Sequence, residues 1–344
     1  MPNQLEAHID RLHRHGIVDM HFDLLMDLYE KRRRSGVLDS DFLPEMRAGN
    51  IGVVGAAIYI EDKYLPEMAL RVGLDQVARL HIEVDGSEHF ALCKSYADIV
   101  TARQAGKIAF LVTMEGVEPL GNDLSMLRVF YELGVRSIGL THARRNLAGD
   151  GGVFAATGSS KQGLTSFGKA VVQQCESLGI MLDLAHLNPA GVEDLLAVTS
   201  KPPIISHSTP RHYYDIERNS SDDHLREVGK RGGVIGLNAV LVSPRQEDSH
   251  LDRYVDEIEY AIELAGVDSV GLGFDFFDFI YQQWTAQQRA ELESSLAKAY
   301  FLPDLLNHGQ TRNLTRKLIE RGFEDSTIEK VLYSNWLRVF ETLL

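Results

Sequence analysis

The chain alternates between short apolar runs and longer mixed stretches. Eight runs are apolar on both faces: Ile17–His21, Ile51–Tyr59, Ile108–Met114, Val135–Thr141, Ile180–Ala185, Pro203–Ser206, Gly233–Asn238 and Ser269–Gly273. Strands of a parallel sheet, covered on both sides, read this way. Helices are predicted between them over Leu74–Glu88, Leu124–Leu133, Ser166–Leu178, Pro189–Ser200, Ser221–Arg231 and Asp252–Ala265. Asn188-Pro189 is a start signal, and Gly134 and Gly179 are stop signals. Eight strands alternating with helices predict an α/β protein of the (β/α)8 or TIM-barrel type, with an open doubly wound sheet as the alternative. Thr311–Leu344 predicts two more helices packed outside, so residues 1–344 are expected to form a single barrel domain.

The most informative stretch is Gly179–Asn219. It holds two apolar runs, each ending in a histidine, His186 and His207, with a predicted helix between them. In a parallel barrel the C-terminal strand ends carry the chemistry. Two imidazoles on neighbouring strand ends can reach one metal ion.

Composition narrows the function classes. Of the residues, 44% are hydrophobic and 24% charged, as in a soluble globular protein. A net charge of −14 argues against nucleic acid as a partner. Two cysteines, Cys93 and Cys175, demand no disulfide, and a reducing compartment is the simpler reading. Met1–Gly16 lacks the apolar core of a secretory signal, and no apolar run reaches the ~20 residues needed to span a bilayer. A cytoplasmic protein with no membrane partner is expected.

Other strand ends add candidate chemistry. His21 and Asp23 form a His-x-Asp pair whose side chains share one side of the strand, since strand side chains alternate. Alone, the pair reads more readily as a surface loop or cap. Glu115 follows an apolar run, where a carboxylate costs desolvation energy unless paired or bound to a cation. It can bridge two metals, or it can cap a helix or join an ion pair. His142 suits a third metal ligand, a donor to a developing oxyanion, or a structural role. Arg218 suits a substrate carboxylate, or a salt bridge with Asp222 or Asp223. Val270–Asp278 is Gly-rich but lacks the third glycine and the following helix of a dinucleotide fingerprint. Asp275 there is well placed as a general base beside a metal-activated water, and Asp278 is a poorer candidate. No lysine stands at a strand end, which speaks against a carbamylated-lysine bridge.

Taken together these residues resemble the membrane (renal) dipeptidase family of metallopeptidases. The likeness is densest over Gly163–Asn238. It continues at Asp19–Asp23, Met114-Glu115-Gly116, Leu140-Thr141-His142, Val270–Asp275 and Ile328–Glu341, in order and over nearly the whole length. The resemblance implies a (β/α)8 barrel that hydrolyses dipeptides at a binuclear zinc site, in a soluble bacterial-type member. It implies one zinc on His21, Asp23 and Glu115, and a second on Glu115, His186 and His207. The two would share Glu115 and a water or hydroxide. It makes His142 and Arg218 substrate contacts, with His142 stabilising the oxyanion and Asp275 moving protons. A small dipeptide is the expected partner, with a homodimer compatible.

The chain departs from the family pattern around the substrate. Leu25 stands where a proline is usual, Phe274 replaces a glycine beside Asp275, and Ala239-Val240 replace an aromatic pair. The expectation is a pocket of altered shape, with Phe274 adding bulk. Two rival functions stay open: an amidohydrolase acting on a lactam or acyl-amino acid, and a non-catalytic barrel that binds a peptide-like ligand or serves a biosynthetic complex.

Overall fold

Nine strands, all paired in parallel, run through the computed structural model, which describes residues 2–153, 162–295 and 300–344. They are β1 (Ile17–Phe22), β2 (Ile51–Tyr59), β3 (Phe90–Leu92), β4 (Ile108–Glu115), β5 (Val135–Gly139), β6 (Met181–Asp183), β7 (Ile204–Ser208), β8 (Val234–Leu237) and β9 (Val270–Leu272). The order β2-β1-β9-β8-β7-β6-β5-β4 closes on itself, because β2 also pairs with β4. The result is an eight-stranded parallel barrel, and the open-sheet alternative does not apply. Each predicted apolar run supplies one barrel strand. The sequence pattern does not announce β3, a short strand added beside the start of β4, with Phe90 opposite Ile108.

Local chemistry explains how the strands are joined. Helix Pro189–Val198 starts at Asn188, whose side chain accepts the Gly191 N–H at 2.8 Å, with proline at the first helical position. Helix Ser166–Leu178 ends at Gly179, which takes a left-handed φ of +76°. The Gly-x-Gly of β9 is a packing feature. A Cβ on Gly271 would meet the Trp336 indole at 2.4 Å, and one on Gly273 would meet the Ser206 carbonyl oxygen at 1.7 Å.

The C-terminal helices cover the outside of the barrel. Trp336, fully buried, donates its indole N–H to the carbonyl of Leu272 at 3.0 Å. An unanticipated first helix, Pro2–Leu12, is tied to helix Thr311–Glu320 by ion pairs from Glu6 to Arg312 and Arg316, each 2.7 Å. No helix among the described residues is long and apolar enough to cross a membrane.

Candidate metal centre

The C-terminal ends of β1, β4, β6, β7 and β9 converge on one cluster. Glu115, the last residue of β4, is its centre. Its Oε1 lies 2.9 Å from His186 Nε2, 3.4 Å from His207 Nε2 and 3.7 Å from His21 Nε2. The His186 and His207 Nε2 atoms are 2.9 Å apart. His21 Nε2 is 3.8 Å from both Asp23 Oδ1 and Asp275 Oδ1. The His21 ring stacks on His207, with centroids 3.6 Å apart. His142 completes a further triad with Glu115 and His186. His21, Asp23, Glu115, His142, His186, His207 and Asp275 are thus brought together from positions spread over most of the chain.

The side chains that hold this cluster form a recurring device. Asp19, two residues before His21, accepts the His21 N–H at 3.2 Å and the Phe274 N–H of the neighbouring strand segment at 2.9 Å. Asp183 accepts the N–H of Ala185 at 3.0 Å and, across to β7, that of Ser206 at 2.8 Å. Asn238, beyond β8, accepts the Val240 N–H at 2.6 Å and donates to Asp275 Oδ2 at 2.8 Å. In each case an Asp or Asn within or just past a strand binds backbone two residues ahead and something on a neighbouring strand or segment. His207 Nδ1 is paired with Ser206 Oγ at 2.8 Å, fixing its ring. His186 and Asp275 themselves have left-handed backbones, φ +63° and +60°, uncommon outside glycine.

Electrostatics show what the cluster lacks without a cation. Burial raises the Glu115 carboxyl above its ordinary range. Asp23 and Asp275 push it further the same way, against the opposing pull of His21. Burial also raises Asp275, again against the pull of His21. Burial works against a charged His21, but Glu115, Asp23 and Asp275 outweigh it and push its pKa up to about 10. His142 is held well below its usual value, first by burial and then by Arg144 and Arg218. Among the described residues the buried His21 Nε2 has no hydrogen-bond partner. A tetrahedral ion with ligands ~2.0–2.1 Å away spaces its donor atoms about 3.3 Å apart. The observed 2.9–3.8 Å spacings among these imidazole and carboxylate atoms fit such ions, and Glu115 belongs to two of the three compact ligand sets, with His142 and His186 and with His21 and Asp23.

Arg218 sits beside this cluster, buried. Asp222 and Asp223 pair with Arg226, so the alternative salt bridge is not made. The Arg218 guanidinium donates to the carbonyl of His207 at 3.2 Å, and its Nε has no partner among the described residues. Arg144, three residues before Leu147, is consumed by Glu118, Asp62, the Tyr59 hydroxyl and the carbonyl of Ile60. Asp278 lies further on, opening helix Asp278–Tyr281.

The expected effect of Phe274 on the pocket is corrected. Its ring is fully buried, stacked on Phe276 at 4.6 Å and 6.4 Å from both Tyr254 and His308. Tyr254 belongs to helix Leu251–Ala265, so the Phe274 ring packs into the helix layer. Leu25 lies in helix Leu24–Glu30, fully buried, and Ala239 and Val240 are buried too. Asp19, Asp183, Asn238 and His308 carry no sequence signal of their support roles beyond an Asp or Asn within or just past an apolar run, which His308 lacks.

Comparison with known proteins follows the same geometry. Residues 6–296 match the membrane dipeptidase family, peptidase family M19. An uncharacterized dipeptidase of Schizosaccharomyces pombe is 32% identical over 266 residues, 73% of this chain. The chain spans 64% of that relative's length. A dipeptidase of Clonostachys rogersoniana is 27% identical over 97% of this chain and 79% of its own. Among solved structures, a family M19 metallopeptidase described as dipeptidase AC superposes with a TM-score of 0.83 at 25% identity, covering 95% of this chain and 98% of its own. A Rhodobacter sphaeroides metallopeptidase, liganded with a phosphinate mimic of the dipeptide L-Ala-D-Ala, superposes at 0.81 and 24% identity, covering 96% of this chain and 99% of its own.

Proposed function

The chain belongs to the membrane dipeptidase family, and we propose that it is a zinc-dependent dipeptidase that cleaves the peptide bond of free dipeptides. The observation that carries this reading is Glu115 Oε1 within 2.9–3.7 Å of three histidine Nε2 atoms, in a buried cluster with an unpartnered His21 nitrogen. His21, Asp23 and Glu115 would hold one ion, and Glu115, His186 and His207 a second. When bound, the ions supply acidification of water and polarisation of a carbonyl, which amide hydrolysis needs at neutral pH.

The remaining roles belong to the protein. Asp275 accepts a proton from the attacking water and passes it to the leaving amine. His142, neutral because it is buried beside two arginines, donates a hydrogen bond to the oxygen that gains charge. Arg218, buried and with an Nε–H that has no partner among the described residues, binds the carboxylate of the dipeptide and so selects short substrates with a free C-terminus. The same reading has the enzyme acting as one barrel domain in the cytoplasm, in keeping with its two buried free thiols, Cys93 and Cys175.

A panel of free dipeptides, incubated with the purified protein and followed by amine release, tests this. Hydrolysis that is abolished by a chelator and restored by zinc is the expected result. Activity confined to lactams or N-acyl amino acids would move the chain to a different amide substrate.

A further inference from the structure

We propose that Asn238 is a positioning residue for Asp275, selecting which carboxylate oxygen handles the proton; this rests on the proton-transfer role given to Asp275 above. Asn238 is fully buried just beyond β8. Its Oδ1 accepts two backbone N–H groups, from Val240 at 2.6 Å and Leu241 at 3.3 Å. Only an oxygen can accept them, so the amide cannot be turned over, and its NH2 must face the other way. There it donates to Asp275 Oδ2 at 2.8 Å. The backbone of Asn238 is pinned as well: its N–H reaches the carbonyl of Ser208 at 3.0 Å, and the next N–H, of Ala239, reaches that of Phe274 at 2.9 Å.

Asp275 needs such a partner. It stands in a left-handed backbone conformation, held by its N–H to the carbonyl of His21 at 3.2 Å. Nothing in that backbone bond decides how the carboxylate turns about its own axis. Asn238 decides it by engaging Oδ2. Oδ1 is then left on the side of the cluster, 3.8 Å from His21 Nε2. Proton transfer is sensitive to such placement, because the accepting oxygen must come within hydrogen-bond reach of the proton it takes. Asn238 touches no reacting atom. It acts through Asp275.

A double-mutant cycle on the zinc-loaded enzyme tests the inference. Asn238→Asp keeps the acceptor for the two backbone N–H groups and replaces the NH2 that donates to Asp275 by an oxygen that repels its carboxylate. It should lower kcat by about 10- to 100-fold, the loss of one hydrogen bond to a charged group, with KM within about 3-fold. Zinc content should stay at the wild-type level. In an Asp275→Asn background the same change should cost no more than about 2-fold further, since the group it orients is gone. The double variant restores an NH2-to-carboxylate pair with the roles exchanged, so its melting temperature should recover while turnover does not. Should Asn238→Asp fail to fold, Asn238→Ser, whose hydroxyl still accepts but is too short to reach Asp275, takes its place. Unchanged kcat, an equal loss in both backgrounds, or loss of zinc from the Asn238 variant would each overturn the proposal. Full turnover by Asp275→Asn alone would instead overturn the role of Asp275, whatever Asn238 does.

Discussion

Asp19 and His308 stand 289 positions apart in the chain and 2.7 Å apart in the fold, both buried. The Asp19 carboxylate also holds the N–H groups of His21 and Phe274, so one side chain joins β1, the segment after β9 and the C-terminal region. Asp19→Ala would strand two backbone donors and the His308 ring. A cost of about 3 kcal/mol or more is expected in denaturant unfolding of the metal-free protein. A cost under about 1 kcal/mol would mean that water replaces the carboxylate readily.

Phe274 gives a prediction with two readouts. Its ring packs on Phe276 in the helix layer, so Phe274→Ala should cost about 3–5 kcal/mol of stability. The ranking of dipeptide side chains should not change. A shifted ranking with intact stability would put the ring on the substrate side.

The barrel was legible because its eight strands come from short runs that are apolar on both faces. Strand β3 escaped notice because Phe90-Ala91-Leu92 is too short to show a period, and Ala91 and Leu92 are only half-buried. His21, Glu115, His186 and His207 were legible as polar residues that end apolar runs. The place of Phe274 is not legible from its closeness to Asp275 in sequence, because its ring packs on Phe276 and near Tyr254. His308 was out of reach, since nothing local marks a residue whose partner is in the first strand.

A buried carboxylate away from the cluster predicts a pH effect. Both Glu257 oxygens lack a hydrogen-bond partner among the described residues, and burial raises its pKa well above 4.5. The folded protein therefore keeps a proton that the unfolded chain releases near pH 4.5. The contribution of this group to stability is whole below that pH and declines as pH rises toward the folded value. Glu257→Met should be neutral near pH 4 and stabilising by ~1–3 kcal/mol near pH 8. Paired unfolding curves at the two pH values check this; a gain larger at the acid end would contradict it.

Arg218 predicts a substrate rule. If its guanidinium takes the dipeptide carboxylate, Arg218→Met should lose ~1.5–3 kcal/mol in kcat/KM on free dipeptides. The wild type should hydrolyse dipeptide amides poorly. Equal rates on acid and amide would assign the buried arginine to the support of His207, whose carbonyl it already contacts.

The central claim is that catalysis runs on two metal ions that share Glu115. Zinc added stepwise to the chelated protein, with bound metal and dipeptide hydrolysis followed together, tests it most directly. The expected result is two zinc ions per chain for the wild type, with turnover complete only after the second is bound. Glu115→Gln, a neutral and poorer bridge, should bind fewer and hydrolyse little. Undiminished turnover of the fully chelated protein, or two tightly held ions and full activity in Glu115→Gln, would contradict the account.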